Sequence, residues 1–168
     1  MTRARTSAQC NRVAHVHDRL LSDTGFDIEE RMCLDIARLF FSTFAAPQSQ
    51  NWMRAFEYAE HVFDHGVGPT MAPLILKVIQ SIRTSRTSVF TFSNPDCSGC
   101  ARILTEHERR LMTAITSARY GRTERAHIEM MMLCEGNDTT VVMEWLSQLA
   151  DALPTPCAPL GSRSGTRV

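Results

Sequence analysis

Residues 105–136, TEHERRLMTAITSARYGRTERAHIEMMMLCEG, decide the fold class. Thr105 and Glu108 have the T-x-x-E spacing of a capping box, in which each side chain accepts a hydrogen bond from a backbone N–H at the start of a helix. Apolar residues then recur at helical spacing until Gly121, and a second helical segment follows until Gly136. Because the connection between the two segments is short, we expect an antiparallel helical hairpin.

Helix signals recur along the rest of the chain. The spacing of apolar residues, together with helix-ending glycine and proline, predicts further helices at about 8–22, 27–46, 52–65, 70–83 and 138–153. The start at Asp27 is supported by Glu30, which repeats the capping-box spacing. Residues 89–92, VFTF, are strand-like but too few to form a sheet alone. The sequence therefore predicts an all-α protein with about seven helices in a compact bundle.

The composition changes along the chain and indicates three parts. Residues 1–86 form an N-terminal helical part. Residues 87–153 contain a closely spaced cysteine pair and three helices, and we expect them to pack on the first part as one domain. Residues 154–168 are rich in Pro, Ser, Gly and Arg and are predicted to be disordered. A chain of 168 residues is long enough to bury a core without covalent staples.

Charge and hydropathy exclude some classes of protein. Eighteen basic residues balance eighteen acidic ones, which gives no overall attraction to nucleic acid or to an anionic membrane. No apolar run approaches the length of a membrane span, and no apolar segment of a secretory signal follows the basic N-terminus. We therefore expect a cytoplasmic protein without membrane contact, whose six cysteines are thiols or metal ligands.

The chemistry concentrates in residues 93–102, SNPDCSGCAR, where Cys97 and Cys100 form a C-x-x-C pair. Such a pair supplies two of the four ligands that tetrahedral zinc needs. At ~1.5 Å per residue, counting back from the hairpin turn brings Cys134 level with the first turn of the preceding helix, which carries His107. The sequence thus predicts a zinc ion held by Cys97, Cys100, Cys134 and His107, which clamps the C-terminal hairpin.

The fourth ligand has alternatives, namely His127 or none. His127 precedes Cys134 by seven residues, so the two lie ~10 Å apart along one helix, too far to share an ion. His107 is therefore preferred. Two other groups of ligand-type residues are weaker candidates: Cys10, His15 and His17 near the terminus, and Glu57, His61 and His65 on one helix face. The first group lies where chain ends fray, and the second is typical of a solvated helix face.

A redox function is the main alternative for Cys97 and Cys100. The strand-like residues 89–92 followed by C-x-x-C at a helix start resemble the thioredoxin-like arrangement, which implies a thiolate nucleophile stabilised by the helix dipole. The resemblance is local, because thioredoxin-like folds need further strands and residues after 105 predict helices. In a third interpretation the cysteines are only small buried apolar residues.

Two other features of the sequence bear on function: the absence of known catalytic motifs and the separation of basic and acidic residues. No motif of a phosphate-binding loop, dinucleotide fold, nucleophile elbow or zinc protease occurs, which disfavours an enzyme. Residues 83–125 contain eight arginines against four acidic residues, whereas residues 126–152 contain no lysine or arginine. The two segments are predicted to complement each other across the hairpin or to contact a protein partner.

The preferred hypothesis is a small zinc-binding regulatory or adaptor protein that acts through protein–protein contacts. The run Met130, Met131 and Met132 is interpreted as core filling, although exposed methionines can form an adaptable docking surface. The alternatives are a thiol–disulfide protein using the cysteine pair and a DNA-binding regulator using the arginines of residues 83–125.

Overall fold

A computed structural model describes residues 15–154 of the chain. Seven helices lie in this part: α1 (Ile28–Ala45), α2 (Asn51–Val62), α3 (Gly68–Ser85), the four-residue α4 (Ser98–Ala101), α5 (Glu106–Arg119), α6 (Thr123–Leu133) and α7 (Thr140–Ala152). Two two-residue strands, β1 (Arg19–Leu20) and β2 (Ile103–Leu104), pair in antiparallel orientation. The predicted all-α class is confirmed.

The two predicted capping boxes begin the helices as the sequence indicated. Asp27 accepts a hydrogen bond from the Glu30 N–H, and Glu30 accepts one from the Asp27 N–H. Thr105 and Glu108 exchange the same pair of bonds at the start of α5. Both boxes satisfy N–H groups that a helix start leaves without an intrahelical partner.

One hydrophobic core joins the N-terminal helices to the C-terminal hairpin. Helix α1 packs on α2, α3 and α5, while α7 packs on α3 and α5. The hairpin of α5 and α6 is formed as predicted, with Gly121 at φ +70° in the turn. Buried aliphatic side chains from several helices fill the core, among them Leu34, Ile75, Ile79, Leu111 and Leu146.

The predicted N-terminal helix at 8–22 is wrong for its described residues. His15 to Asp18 form a turn, β1 follows, and a 3₁₀ turn spans Leu21–Asp23. The backbone here is bonded across the fold, because the Leu21 N–H donates to the Arg102 carbonyl at 2.9 Å. A long-range pairing has replaced the local helical bonds that the apolar spacing predicted. Residues 8–14 of this prediction lie outside the described part.

The predicted strand at 89–92 is also wrong. Phe90 and Phe92 stack on Phe41 of α1, with ring centroids 4.1 and 5.6 Å apart. The Thr91 N–H donates to the ring of His107 and not to a neighbouring strand. The apolar pattern therefore reflects aromatic packing of an extended segment.

Two further predictions concern the chain end and the membrane. The predicted disordered tail, 154–168, lies outside the described residues except for Pro154, whose carbonyl accepts hydrogen bonds from Arg119. Within residues 15–154, no helix has both the length and the apolar character that crossing a bilayer requires.

Candidate functional site

A buried ion pair holds the segment that carries the two cysteines. The guanidinium of Arg38 in α1 is 1% exposed, and the carboxylate of Glu108 in α5 is fully buried. Arg38 Nε donates to Glu108 Oε1 at 2.7 Å, and Nη2 donates to Oε2 at 3.2 Å. The same guanidinium donates to the carbonyls of Ala101 and Ile103, both at 2.7 Å. Arg38 therefore binds the chain directly after the cysteine pair.

Glu108 binds the same segment at both of its ends. Its carboxylate accepts hydrogen bonds from the backbone N–H of Ser93 at 2.9 Å and of Thr105 at 2.8 Å. The Ser93 hydroxyl donates to the Ile103 carbonyl at 2.6 Å and so joins the two ends of the segment. Residues 93–105, here called the knuckle loop, are thus fixed by a charge pair with no access to water. In such an environment charge-assisted hydrogen bonds are strong.

Cys97 and Cys100 occupy the tip of the knuckle loop. Cys97 is the N-cap of α4, and its Sγ accepts a hydrogen bond from the Cys100 N–H at 3.4 Å. Both residues are partly buried. An N–H donor aimed at sulfur stabilises a thiolate, which is the form that binds metals and attacks disulfides. The loop therefore presents two sulfurs in one turn with their backbone already ordered.

The outer side of the loop is tied to α2. Arg54 donates two hydrogen bonds to Asp96, at 2.9 and 3.2 Å, and each side chain is about half exposed. Asn94 accepts a further bond from the Asp96 N–H at 2.9 Å. An exposed pair of this kind contributes little to the free energy of folding. It orients the loop tip more than it stabilises it.

His107, a predicted ligand, makes its contacts with residues 86–91. Its Nδ1 accepts a hydrogen bond from the Thr91 N–H at 2.9 Å, and Nε2 lies 3.4 Å from an Arg86 nitrogen. Burial of the ring, with the nearby charge of Arg86, lowers the pKa of His107 below its usual value. The imidazole is therefore neutral at pH 7, but both ring nitrogens already have neighbours.

Cys134, the other predicted ligand, is fully buried at the end of α6. Burial raises the pKa of its thiol, and a hydrogen bond with Ser85 opposes this only in part. The alternative ligand His127 has its Nε2 2.9 Å from the Thr139 hydroxyl. Glu57, His61 and His65 are exposed, as their interpretation as a solvated face requires.

The structure brings Cys97 and Cys100 together and gives Cys134 and His107 other partners. Between residues 15 and 154, no three His, Cys, Asp or Glu side chains are grouped so as to hold a metal ion. The four-ligand clamp and its zinc ion stay predictions. Cys10, from the weaker terminal group, lies outside the described residues.

The structure places His15 near Cys100, which the sequence did not predict. His15, Asp18 and Cys100 line the same open cavity of about 410 Å³, together with residues of the knuckle loop and of the segment before it. The sequence signal for His15 is its group with Cys10 and His17, which lies near a terminus, where chain ends fray. Pairing of β1 with β2 ties this segment to the exit of the knuckle loop, and a turn from His15 to Asp18 precedes β1.

The arginines of residues 83–125 are largely used within the fold. Arg110 bridges Glu106 and Glu129 and so joins α5 to α6. Four of the eight arginines form ion pairs with carboxylates: Arg86, Arg110, Arg119 and Arg125. The pair of Arg110 with Glu129 crosses the hairpin, whereas Arg119 pairs with acidic residues at the start of α1. These ion pairs reduce the charge that a nucleic acid would meet.

The knuckle loop therefore places two cysteines in one turn of an ordered backbone. Comparison with protein-family models, with curated proteins and with solved structures found no match for this chain.

Proposed function

We propose that this chain is a small zinc-binding regulatory or adaptor protein, and that Cys97 and Cys100 are two of the zinc ligands. The observation that carries the proposal is the hydrogen bond from the Cys100 N–H to Cys97 Sγ within a loop that Arg38 and Glu108 hold in place. Thiolates preorganised in one turn suit zinc, which takes sulfur ligands at about 2.3 Å. Little ordering of the backbone then opposes metal binding.

The clamp predicted with Cys134 and His107 is the more demanding form of this proposal. Cys134 would have to leave its buried position beside Ser85, and His107 would have to release the Thr91 N–H. The proposal therefore requires the cysteine pair and leaves the remaining ligands to experiment.

An adaptor role is supported by the outer surface of α6. Ile128, Met131 and Met132 are 55, 43 and 56% exposed, whereas Met130 is buried. The first three lie at helical spacing on one face, and flexible methionine side chains adapt to varied partners. A zinc site closed by four protein ligands has no open position for a substrate, which favours regulation over catalysis.

A reversible disulfide between Cys97 and Cys100 is the second candidate. Both cysteines are partly buried residues at the same loop tip, which favours it. The rest of the described fold does not resemble thioredoxin-like proteins, which need a larger sheet. The helix after Cys97 has only four residues, and the strands in the described part are two residues each. A helix this short supplies little dipole to stabilise a thiolate.

Metal content separates the two candidates. Protein purified under reducing conditions without a metal-affinity tag is analysed for zinc, and accessible thiols are counted by alkylation. We expect about one zinc per chain, with Cys97 and Cys100 protected. The variants Cys97→Ser and Cys100→Ser should lose the metal, whereas Cys33→Ala, in the core of α1, should keep it. Absence of metal, with two thiols that oxidise reversibly to a pair, would replace the zinc proposal with the redox one.

The DNA-binding alternative has its own test. Binding through arginines weakens steeply as salt is added, because counterions compete for the phosphates. With four of the eight arginines paired internally, we expect no binding to duplex or single-stranded DNA in fluorescence anisotropy at low salt. Tight, strongly salt-dependent binding would revive this alternative.

A further inference from the structure

We propose that a cavity between the ends of α1 and α3 binds a small carboxylic acid that carries an aromatic ring, with Arg83 as the partner of the carboxylate. The cavity has a volume of about 300 Å³ and is lined by the last turns of both helices and by the chain that follows α3. That volume is sufficient for a small-molecule site. The inference goes beyond the proposed function and does not require the zinc ion.

Aromatic rings form the apolar wall of the cavity. Phe41 is almost fully buried, and the rings of Phe90 and Phe92 stack on it with centroids 4.1 and 5.6 Å away. Phe44, in the last turn of α1, lines the same cavity. Stacked and edge-on contacts between rings are favourable beyond the apolar area that they bury. The wall therefore suits a ligand with an aromatic ring.

The charged residues in the wall of the cavity are both arginines, Arg83 and Arg86. Within the described part of the chain, no Asp or Glu lines this cavity. The Arg86 side chain is 4% exposed and lies 3.5 Å from a Glu135 oxygen. It also donates to the carbonyls of Ser88 and Leu133, at 2.8 and 2.9 Å. The fold thus already satisfies Arg86, as a buried charge requires.

Arg83 is the cation that remains for a ligand. It is exposed in the last turn of α3, and its guanidinium lies over the ring of Phe44, 3.7 Å from the centroid. Nη1 donates to Gln80 Oε1 at 2.7 Å. A guanidinium has five N–H donors, and no carboxylate among the described residues forms an ion pair with Arg83. Because the Phe44 ring covers one face, the donors at the edge stay available for two parallel bonds to a carboxylate.

Hydrogen bonds from α6 fix the chain that follows α3. The Glu135 carboxylate accepts bonds from the N–H and the hydroxyl of Thr87, both at 2.8 Å, and from the Ser88 N–H at 3.2 Å. Hydrogen bonds from Ser88 and Thr87 lower the pKa of Glu135 to about 2, so this carboxylate stays ionised at neutral pH. Binding to a wall that is already ordered loses less conformational entropy. The cavity is therefore largely formed before a ligand arrives.

Titration of the full chain with phenylacetate, followed by heteronuclear NMR, tests the inference. We expect saturable shifts of backbone N–H signals at residues 41–45 and 83–90, which surround the cavity. Phenylacetamide should bind at least about tenfold more weakly, because it cannot form charge-assisted bonds with Arg83. Acetate should also bind at least about tenfold more weakly, because it has no ring to bury against the aromatic wall.

Variants at exposed positions test each part of the cavity. Arg83→Gln should weaken phenylacetate binding at least about tenfold. Lys77→Gln is the matched control: Lys77 lies on the same helix over the Trp145 ring, 3.9 Å from its centroid, and does not line the cavity. It should leave the affinity unchanged. Ala45→Trp should abolish binding, because Ala45 is an exposed residue of the wall and a large side chain there fills the space.

The same spectra show whether each variant is folded. The inference is overturned if wild-type protein gives no saturable shifts, or if the shifts lie in another part of the chain. Equal affinity for the acid and its amide, or equal affinity of wild type and Arg83→Gln, would also contradict it. Protein treated with a chelator should bind phenylacetate as tightly as untreated protein, so this result and the zinc measurement succeed or fail separately.

Discussion

Arg38 and Glu108, seventy residues apart in sequence, form a two-bond ion pair that is shielded from water and organises the cysteine-bearing loop. Each partner also binds backbone: Arg38 through two carbonyls after the cysteines, and Glu108 through N–H groups at both ends of the loop. The position of the candidate site is therefore controlled from the core. The metal, if bound, acts on a loop that is already ordered.

Removing one partner of this pair should be costly. Arg38→Met leaves the Glu108 carboxylate buried without its counter-charge, and we expect the free energy of unfolding to fall by about 3–5 kcal/mol. Urea titration followed by circular dichroism measures the loss. Arg54→Ala is the control, since it removes the exposed pair with Asp96 and should cost no more than about 1 kcal/mol. Equal losses in the two variants would contradict a central role for Arg38.

The approach of α2 to α3 depends on the absence of a side chain at Gly68. A Cβ there would lie 2.9 Å from the Ala59 carbonyl oxygen and 3.0 Å from Glu60 Cα, both backbone atoms. Gly68→Ala should therefore reduce the free energy of unfolding by about 1–3 kcal/mol, although helix propensity alone favours alanine. Gly66→Ala meets nothing within 4 Å and should stay within about 0.5 kcal/mol of wild type. Chemical denaturation of both variants decides the matter, and a Gly68→Ala protein as stable as Gly66→Ala would refute the close contact.

His107 should make stability depend on pH. Burial and the charge of Arg86 lower its pKa in the folded state, so the unfolded chain takes up a proton first as the pH falls. The stabilisation is complete above the ordinary histidine pKa and is lost as the pH falls through the lowered value. His107→Gln should flatten the stability curve below the ordinary histidine pKa, measured as urea midpoints. An unaltered slope in His107→Gln would exclude this source of pH dependence.

Zinc should stabilise the fold through the cysteine pair. A ligand present at a thousand times its Kd adds about 4 kcal/mol to the free energy of unfolding. We therefore expect zinc to raise the Tm of wild-type protein, and a chelator to remove the increase. Cys100→Ser should melt at the same temperature with zinc and with chelator. If Cys100→Ser and wild type melt alike under both conditions, the metal is not a structural element of the knuckle loop.

Helix starts, the hairpin and the fold class were readable from the sequence because their signals are local. The capping boxes of Asp27 with Glu30 and of Thr105 with Glu108 join residues three positions apart, and Gly121 marks the hairpin turn. The C-x-x-C pair was recognisable for the same reason. The Cys100 N–H bonds to Cys97 Sγ, a contact between residues three positions apart.

The surroundings of the pair depended on tertiary packing. Apolar spacing before Leu20 predicted a helix, yet the backbone there bonds to the exit of the knuckle loop and places His15 near Cys100. Counting along the hairpin gave the level of His107 along the helix axis, but the direction of its ring depends on Thr91 and Arg86. The rise per residue determines the position of a residue along the helix axis. The direction of its side chain depends on the residues that pack against it.

The carboxylate of Glu108 makes one contact that the sequence predicts and others that depend on tertiary packing. The sequence by itself determined that Glu108 accepts the Thr105 N–H, because a helix start fixes the geometry between positions three apart. Only the tertiary structure decided that the same carboxylate also receives Arg38 and the Ser93 N–H. Those partners come from distant parts of the chain, and burial in a shared core, which no local pattern encodes, is what forces a charged group to find them.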